Sequence, residues 1–162
     1  MTEGTLIPAK AASVKDQSDA IVVSFHSDWY SHIQARDFSI VIRKQTPKFR
    51  AFDWLYFHVN SPVSAICARA PILKTFRANL QEVLDLASAV NLTPAEIRDY
   101  FWKDSTVGCY RLGTIQIAPK AITTKELTSA LIYRPPQSCV ILSMRAKQVI
   151  DCLAQFTPAV CK

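Results

Sequence analysis

Short apolar runs alternate with polar and turn-forming segments along the chain, and this pattern predicts most of the secondary structure. Apolar, mostly β-branched or aromatic runs predict strands at 21–25, 39–43, 52–59, 63–75, 108–117 and 138–142. Asn60-Ser61-Pro62 is a turn composition between the third and fourth runs, so these two are expected to form an antiparallel hairpin. Both faces of residues 52–59 are bulky, which predicts a central position in the sheet.

Helical spacing of apolar residues predicts four or five short helices between the strands. Ser27-Asp28 is expected to cap a helix after the first strand, and residues 79–90 form a second helical segment. The 93–96 segment is a capping box with proline at the first helical position, and 123–126 repeats the capping pattern. A last helix, at about 144–156, carries one apolar stripe.

The pattern indicates one domain preceded by an arm. Residues 1–20 have no sustained apolar period and are expected to be a flexible N-terminal arm, whereas 21–162 form a single domain with an extra C-terminal helix. Interleaved strands and helices with hairpins favour an α+β fold, a small mixed β-barrel with flanking short helices. A doubly wound sheet is disfavoured, because the chain has only three glycines and no glycine-rich first turn.

Composition agrees with this and restricts the function. Of 162 residues, 49% are hydrophobic, enough for one core, but no apolar run is long enough to span a membrane and no signal peptide begins the chain. A cytoplasmic protein without membrane contact is therefore expected. Nineteen lysines and arginines against 13 acidic residues give a net charge of +6, which favours polyanionic partners.

The cysteines predict neither a metal site nor a cofactor site. They have no Cys-x-x-Cys spacing and no histidine at ligand spacing, so free thiols in a reducing compartment are expected. The five are Cys67, Cys109, Cys139, Cys152 and Cys161.

Several strings, taken in order, resemble a known family. The opening strand Val22-Val23-Ser24-Phe25 and a helix precede Ala35-Arg36-Asp37-Phe38-Ser39-Ile40-Val41-Ile42-Arg43. Later strings are Trp54-Leu55-Tyr56, Ser61-Pro62-Val63-Ser64-Ala65-Ile66, Asn91-Leu92-Thr93, Tyr100-Phe101, Gly108-Cys109-Tyr110 and Pro135-Pro136-Gln137-Ser138. In this order, over about 21–142, the chain resembles the ASCH domains of the PUA-like superfamily. The resemblance implies a PUA-like barrel and either RNA binding or hydrolysis, by a ribonuclease or by an amidohydrolase acting on a modified nucleoside.

The departures from the family fall on its Gly-x-Lys-x-x-Glu-x-Arg motif. The glycine aligns with Arg36, the lysine with Phe38 and the acid with Val41, and a glutamate used by the amidohydrolases aligns with Val90. Only Arg43 remains. Phenylalanine and valine cannot transfer protons, which favours binding over catalysis. Two interpretations stay open: the former site is filled as core, or an active site lies elsewhere.

The residues around this motif are the predicted nucleic-acid interface, most plausibly for RNA. Positive charges there fit successive phosphates, although a solvated basic loop is the alternative. Tyr30 is expected to be exposed for base stacking, whereas Trp29 has the spacing of a core residue with Ile33. The predicted contacts are Tyr30, Arg36, Ser39, Arg43, Lys44, Lys48 and Arg50.

Candidates for catalysis are His26, Ser39 and Arg43, but no nucleophile has an assured base beside it. His26 precedes a helix start, where a capping role is the stronger interpretation, and His32 follows on that helix. His58 is expected to be a core histidine. The apolar stripe of the C-terminal helix is expected either to cover an open sheet edge or to make a homodimer contact, and a protein-interaction module that uses this helix is a further alternative.

Overall fold

The fold is mixed α+β, as predicted, with seven strands in one sheet. The computed structural model describes residues 17–44, 46, 51–101, 105–130, 133, 136 and 139–157. The strands are β1 (Gln17–Phe25), β2 (Ile40–Arg43), β3 (Trp54–Val59), β4 (Ala65–Asn79), β5 (Thr106–Leu112), β6 (Gln116–Thr123) and β7 (Cys139–Ser143). Their order is β2-β5-β4-β3-β1-β7, and β6 also pairs with β4.

Among the described strands, only β1 and β3 run parallel to each other, and every other pair is antiparallel. The hairpin of β3 and β4 is confirmed, with Leu55 opposite Ala70, and β3 is central between β4 and β1. Within the described residues the pairings leave β2 and β7 at the two ends, so the sheet does not close. Closure into a barrel stays a prediction.

In the described part of the chain, six helices flank the sheet. Capping residues determine where several of them begin. The helices are α1 (Tyr30–Ala35), α2 (Leu80–Asp85), α3 (Ala87–Val90), α4 (Pro94–Tyr100), α5 (Thr124–Ala130) and α6 (Met144–Leu153). Capping boxes at Asn79 and Thr93 start α2 and α4, the second as predicted. The segment predicted as one helix at 79–90 is two, because Leu86 leaves helical geometry at φ −105° and ψ 16°.

Three apolar clusters form the core. The strands β1 and β3 bury both faces: Val23 and Phe57 belong to one cluster, whereas Val22 and Tyr56 belong to another. Helices α5 and α6 cover the second cluster, and α2, α3 and α4 cover a third against β2, β4 and β5. The apolar stripe of α6 therefore packs on this molecule's own sheet, with Ile150 fully buried.

The first strand begins at Gln17, four residues before the predicted domain boundary at Ile21. Ser18 is buried, and its hydroxyl donates a hydrogen bond to the Leu142 carbonyl at 2.9 Å. Pairing with β7 brings residues 17–20 into the domain, although their local sequence lacks an apolar period. Residues 1–16 of the predicted arm lie outside the described residues.

A buried ionic cluster connects α6 to strands β3 and β4 of the sheet. Asp151 on α6 accepts hydrogen bonds from the Tyr56 hydroxyl and from Arg69 Nη1, the latter at 3.2 Å. Arg69 Nε donates to Gln116 Oε1 at 2.9 Å, and Lys147 Nζ lies 3.2 Å from the other carboxylate oxygen of Asp151. Every charge in the cluster therefore has an opposite charge beside it.

The described cysteines partly correct the prediction of free thiols. Cys67 and Cys109 have free thiols, but Cys152 is disulfide-bonded. Burial raises the pKa of the Cys67 thiol to about 12 and that of Cys109 to about 11, so both are protonated and unreactive at neutral pH. Among the described residues there is no group of metal-ligating side chains, and no helix is long and apolar enough to cross a membrane.

Candidate functional site

Four of the five positions that the sequence resemblance aligned with the family's motif and its glutamate converge on one cavity. Phe38, Val41, Arg43 and Val90 all line a space of about 140 Å³ beside β2, which pairs only with β5 among the described strands. These four positions come from two segments of the chain, 38–43 and 90. The structure therefore brings together four of the aligned positions, three of which are apolar in this chain.

Aromatic rings build one wall of this cavity. Phe25 ends β1, Trp29 ends the short 3-10 helix Ser27–Trp29, and Phe38 precedes β2. The Trp29 and Phe38 rings pack edge to face, with centroids 5.2 Å apart. A cavity of roughly 150 Å³ lined by apolar residues accepts a benzene-sized ring, so this space suits one small aromatic group.

Arg43 places a positive charge at the cavity without a negative partner. Its Nη1 donates to the Ile42 carbonyl and its Nη2 to the Ser24 carbonyl, both at 2.7 Å, and its guanidinium lies 4.6 Å from the Phe25 ring centroid. Desolvation by burial lowers the pKa of the guanidinium, which nevertheless stays charged at neutral pH. No carboxylate of the described residues pairs with it.

Tyr100 lines the cavity on its polar side, and Lys44 contacts Tyr100. The Tyr100 hydroxyl accepts a hydrogen bond from the Lys44 backbone N–H at 3.1 Å, and burial raises its pKa. The Lys44 ammonium lies 4.9 Å from the Tyr100 ring centroid, and the Lys44 side chain is exposed. Sequence reasoning found Lys44 but missed Tyr100, which ends α4 more than fifty residues later and carried no local signal.

Arg36 lies apart from Arg43. It ends α1 at φ 55° and ψ 40°, the left-handed conformation that favours glycine, which is the residue the family motif has there. Its Nε donates to the Ile115 carbonyl at 2.7 Å, beside the β5–β6 turn. The side chain is therefore directed toward that turn by a hydrogen bond, and among the described basic residues Arg36 and Arg43 have different surroundings.

The remaining predicted contacts fall in different places. Tyr30 is exposed, as predicted, but Trp29 is the ring that lines the cavity. Ser39 is exposed, and its backbone is held between Ala89 and Leu112 by hydrogen bonds of 2.8 Å each. Lys48 and Arg50 lie outside the described residues.

A second, wider cleft of about 530 Å³ adjoins the cavity and shares Trp29 and Leu92 with it. On its wall, His32 Nδ1 lies 2.9 Å from Asp37 Oδ2, and the Asn91 amide nitrogen lies 3.3 Å from Asp37 Oδ1. The Asn91 amide nitrogen, which only donates, also lies 3.0 Å from His32 Nδ1. The tautomer of His32 therefore depends on whether this amide donates to the ring or to Asp37.

The other histidines have structural roles. His26 caps the 3-10 helix, because its Nδ1 accepts a hydrogen bond from the Asp28 N–H at 3.1 Å. The cap was predicted one residue later, at Ser27-Asp28. His58 is buried as expected, 3.0 Å from the Tyr133 hydroxyl, and desolvation lowers its pKa, so it is neutral at neutral pH.

Solved structures with a similar fold are known. The ASCH protein from Zymomonas mobilis superimposes with a TM-score of 0.71 at 18% identity, covering 80% of this chain and 92% of that chain. A serine-to-alanine mutant of the same protein gives a TM-score of 0.72 at 17% identity, covering 82% and 94%. The N-terminal domain of Staphylothermus marinus McrB gives 0.59 at 7% identity, covering 86% and 97%.

No family model matches the chain, and no curated protein matches it significantly. Identities below 20% establish a common fold and leave the activity open. The resemblance seen in the sequence is confirmed at this level: the chain has the fold of the ASCH domain.

Proposed function

We propose that the protein binds RNA, with one nucleotide seated at the cavity beside β2. The observation that carries the proposal is the buried guanidinium of Arg43, which has no carboxylate partner among the described residues. A buried charge without a counter-ion lowers stability, and perturbed charges of this kind concentrate at binding sites. A phosphate oxygen is a ligand that this guanidinium recognises well.

The neighbouring groups support a nucleotide rather than a free anion. The wall of Phe25, Trp29 and Phe38 offers ring faces and edges to one base. Lys44 is exposed beside the buried Arg43, so a second phosphate of the strand can meet it. In this proposal Lys48 and Arg50, which follow Lys44 in the sequence, extend the basic side of the interface, and Tyr30 offers a further exposed ring.

The test is a fluorescence anisotropy titration with short single-stranded RNA, duplex RNA and single-stranded DNA, each at several salt concentrations. Salt-sensitive binding of the wild type that favours single-stranded RNA is expected. Replacing Arg43 and Lys44 together by alanine removes two phosphate contacts, so the slope of log K against log salt falls by about two.

Two controls separate loss of charge from loss of the cavity and from unfolding. Leu92→Trp changes no charge but fills the space that cavity and cleft share, so it is expected to weaken binding at an unchanged salt slope. Circular dichroism and thermal unfolding confirm that each variant folds. An unchanged salt slope in the double variant, or no binding of any nucleic acid by the wild type at low salt, would reject the proposal.

A hydrolase is the second candidate, and one observation favours it. In the tautomer whose Nδ1 donates to Asp37, the other ring nitrogen of His32 is available as a general base on the wall of the cleft, where a ribose 2′-hydroxyl is a suitable substrate. Phe38, Val41 and Val90 supply no acid or base of their own. Cleavage of RNA that is lost in His32→Gln, while RNA binding is retained, is the result that supports a hydrolase.

A further inference from the structure

Two cations oppose each other in the pairing of β4 with β5, one strand away from the cavity-lining Ile40. In the antiparallel pairing of β4 with β5, Lys74 lies directly opposite Arg111. Like charges at directly opposite positions repel, and this lowers the stability of a strand pair. No carboxylate of the described residues forms an ion pair with either side chain. The repulsion is therefore not relieved within the described part of the molecule.

An aromatic ring lies beside both charges. Phe76 is two residues after Lys74 on the same face of β4, with the Lys74 ammonium 5.5 Å and the Arg111 guanidinium 5.9 Å from its ring centroid. Phe76 is half-buried against the cluster that α2, α3 and α4 cover, whereas Lys74 lies beyond that cover and is exposed. The neighbouring Leu73 is 66% exposed. Helices α2, α3 and α4 therefore cover Phe76 but leave Lys74 exposed.

Two unpaired cations flanking a ring match the chemistry of a single nucleic-acid strand. Successive phosphates of a strand satisfy separate cations, and bases stack on phenylalanine and on arginine. We propose that Lys74, Phe76 and Arg111 form a second RNA contact, which makes the partner an extended single strand rather than a mononucleotide. This inference rests on the proposed function and adds the class of ligand.

Strand geometry fixes the length of RNA that is needed. Arg111 is opposite Ile40 at the start of β2, and Lys44 follows the end of that strand. Four residues along a strand and one inter-strand step correspond to roughly 15 Å between the two contacts. A mononucleotide reaches only one of them, whereas a strand of several nucleotides reaches both. Binding is therefore expected to strengthen with length.

The test measures a nucleoside monophosphate and a single-stranded RNA 12-mer against the same variants. Replacing Lys74 and Arg111 together by alanine is expected to weaken 12-mer binding about tenfold and to lower its salt slope by about two. Mononucleotide binding is expected to stay unchanged. Phe76→Leu keeps an apolar side chain in the core but removes the ring, so 12-mer affinity falls at an unchanged salt slope.

The matched control removes two positive charges elsewhere. Lys125 on α5 and Arg145 on α6 are both exposed, and replacing both by alanine gives the same net charge as the test variant. An equal loss in this control would overturn the inference, because net charge alone would then explain the effect. The inference would also be overturned if the variant without Lys74 and Arg111 bound the 12-mer as tightly as the wild type does. That result would leave the proposed function unaffected. If the wild type binds neither ligand, both proposals fail.

Discussion

Two arginines of the described sheet, one buried and one half-buried, are in opposite circumstances. Arg69 on β4 faces Asp151, Tyr56 and Gln116, and its guanidinium lies 4.1 Å from the Trp54 ring centroid and 4.8 Å from that of Phe156. Arg43 on β2 also lies over a ring, but its hydrogen bonds go to two carbonyl oxygens, which carry only partial charges. One guanidinium is neutralised within the fold and the other is not.

This difference separates a structural arginine from a candidate binding arginine. A buried ion pair with all its hydrogen bonds made is stable once formed, and losing one partner leaves a costly isolated charge. Arg43 donates to carbonyl oxygens and has no carboxylate partner among the described residues, so its charge already lowers the stability of the fold. An anionic ligand can offset this loss of stability. Exposure alone would not distinguish the two, since both residues are largely enclosed.

The largest expected effect comes from breaking the Arg69 pair. Asp151→Ala leaves the buried guanidinium and the Tyr56 hydroxyl without their acceptor, so the free energy of unfolding should fall by about 3–5 kcal/mol. Urea denaturation followed by circular dichroism measures it. Lys147→Ala removes the outer, partly exposed partner of the same carboxylate and should cost less than about 1 kcal/mol. A loss below about 1 kcal/mol in Asp151→Ala would show that the pair does not hold α6.

An intermediate effect is expected at the other arginine. Arg43→Met removes two hydrogen bonds but also removes an uncompensated buried charge, so the free energy of unfolding should change by less than about 2 kcal/mol. In thermal unfolding, phosphate should stabilise the wild type more than the variant, because the anion binds the folded state through Arg43. If Arg43→Met lowered the free energy of unfolding as much as Asp151→Ala does, Arg43 would contribute to the stability of the fold as strongly as the Arg69 pair.

The smallest effect is expected at a third arginine, where the backbone conformation lowers the stability. Arg36 has a left-handed conformation, so Arg36→Gly should be about 1 kcal/mol more stable than Arg36→Ala, because both lack the hydrogen bond to Ile115 and only alanine retains the strain. Chemical denaturation of the two variants gives the difference. Equal stabilities, or a more stable alanine variant, would contradict the assigned conformation.

Local signals predicted the elements well and the site only partly. The capping box at Thr93, the hairpin turn at 60–62 and the bulky faces of β3 are local patterns, and each was confirmed. Gln17 and Leu86 differ from prediction because pairing with β7 and the packing of α3 are set by distant residues. The contact of Tyr100 with Lys44 joins residues 56 positions apart, which no periodicity can reveal.

By itself, the sequence determined the α+β class, the order of most elements and the apolar character of Phe38, Val41 and Val90, because these depend on residue type and on spacing within a few turns. It also determined the excess of positive charge. Only the tertiary structure decided which of these charges are neutralised, since Arg43, Arg69 and Arg111 look alike in sequence. Their differences come from partners on other strands and helices: a carboxylate 82 residues away for Arg69, two carbonyls for Arg43 and a like charge for Arg111.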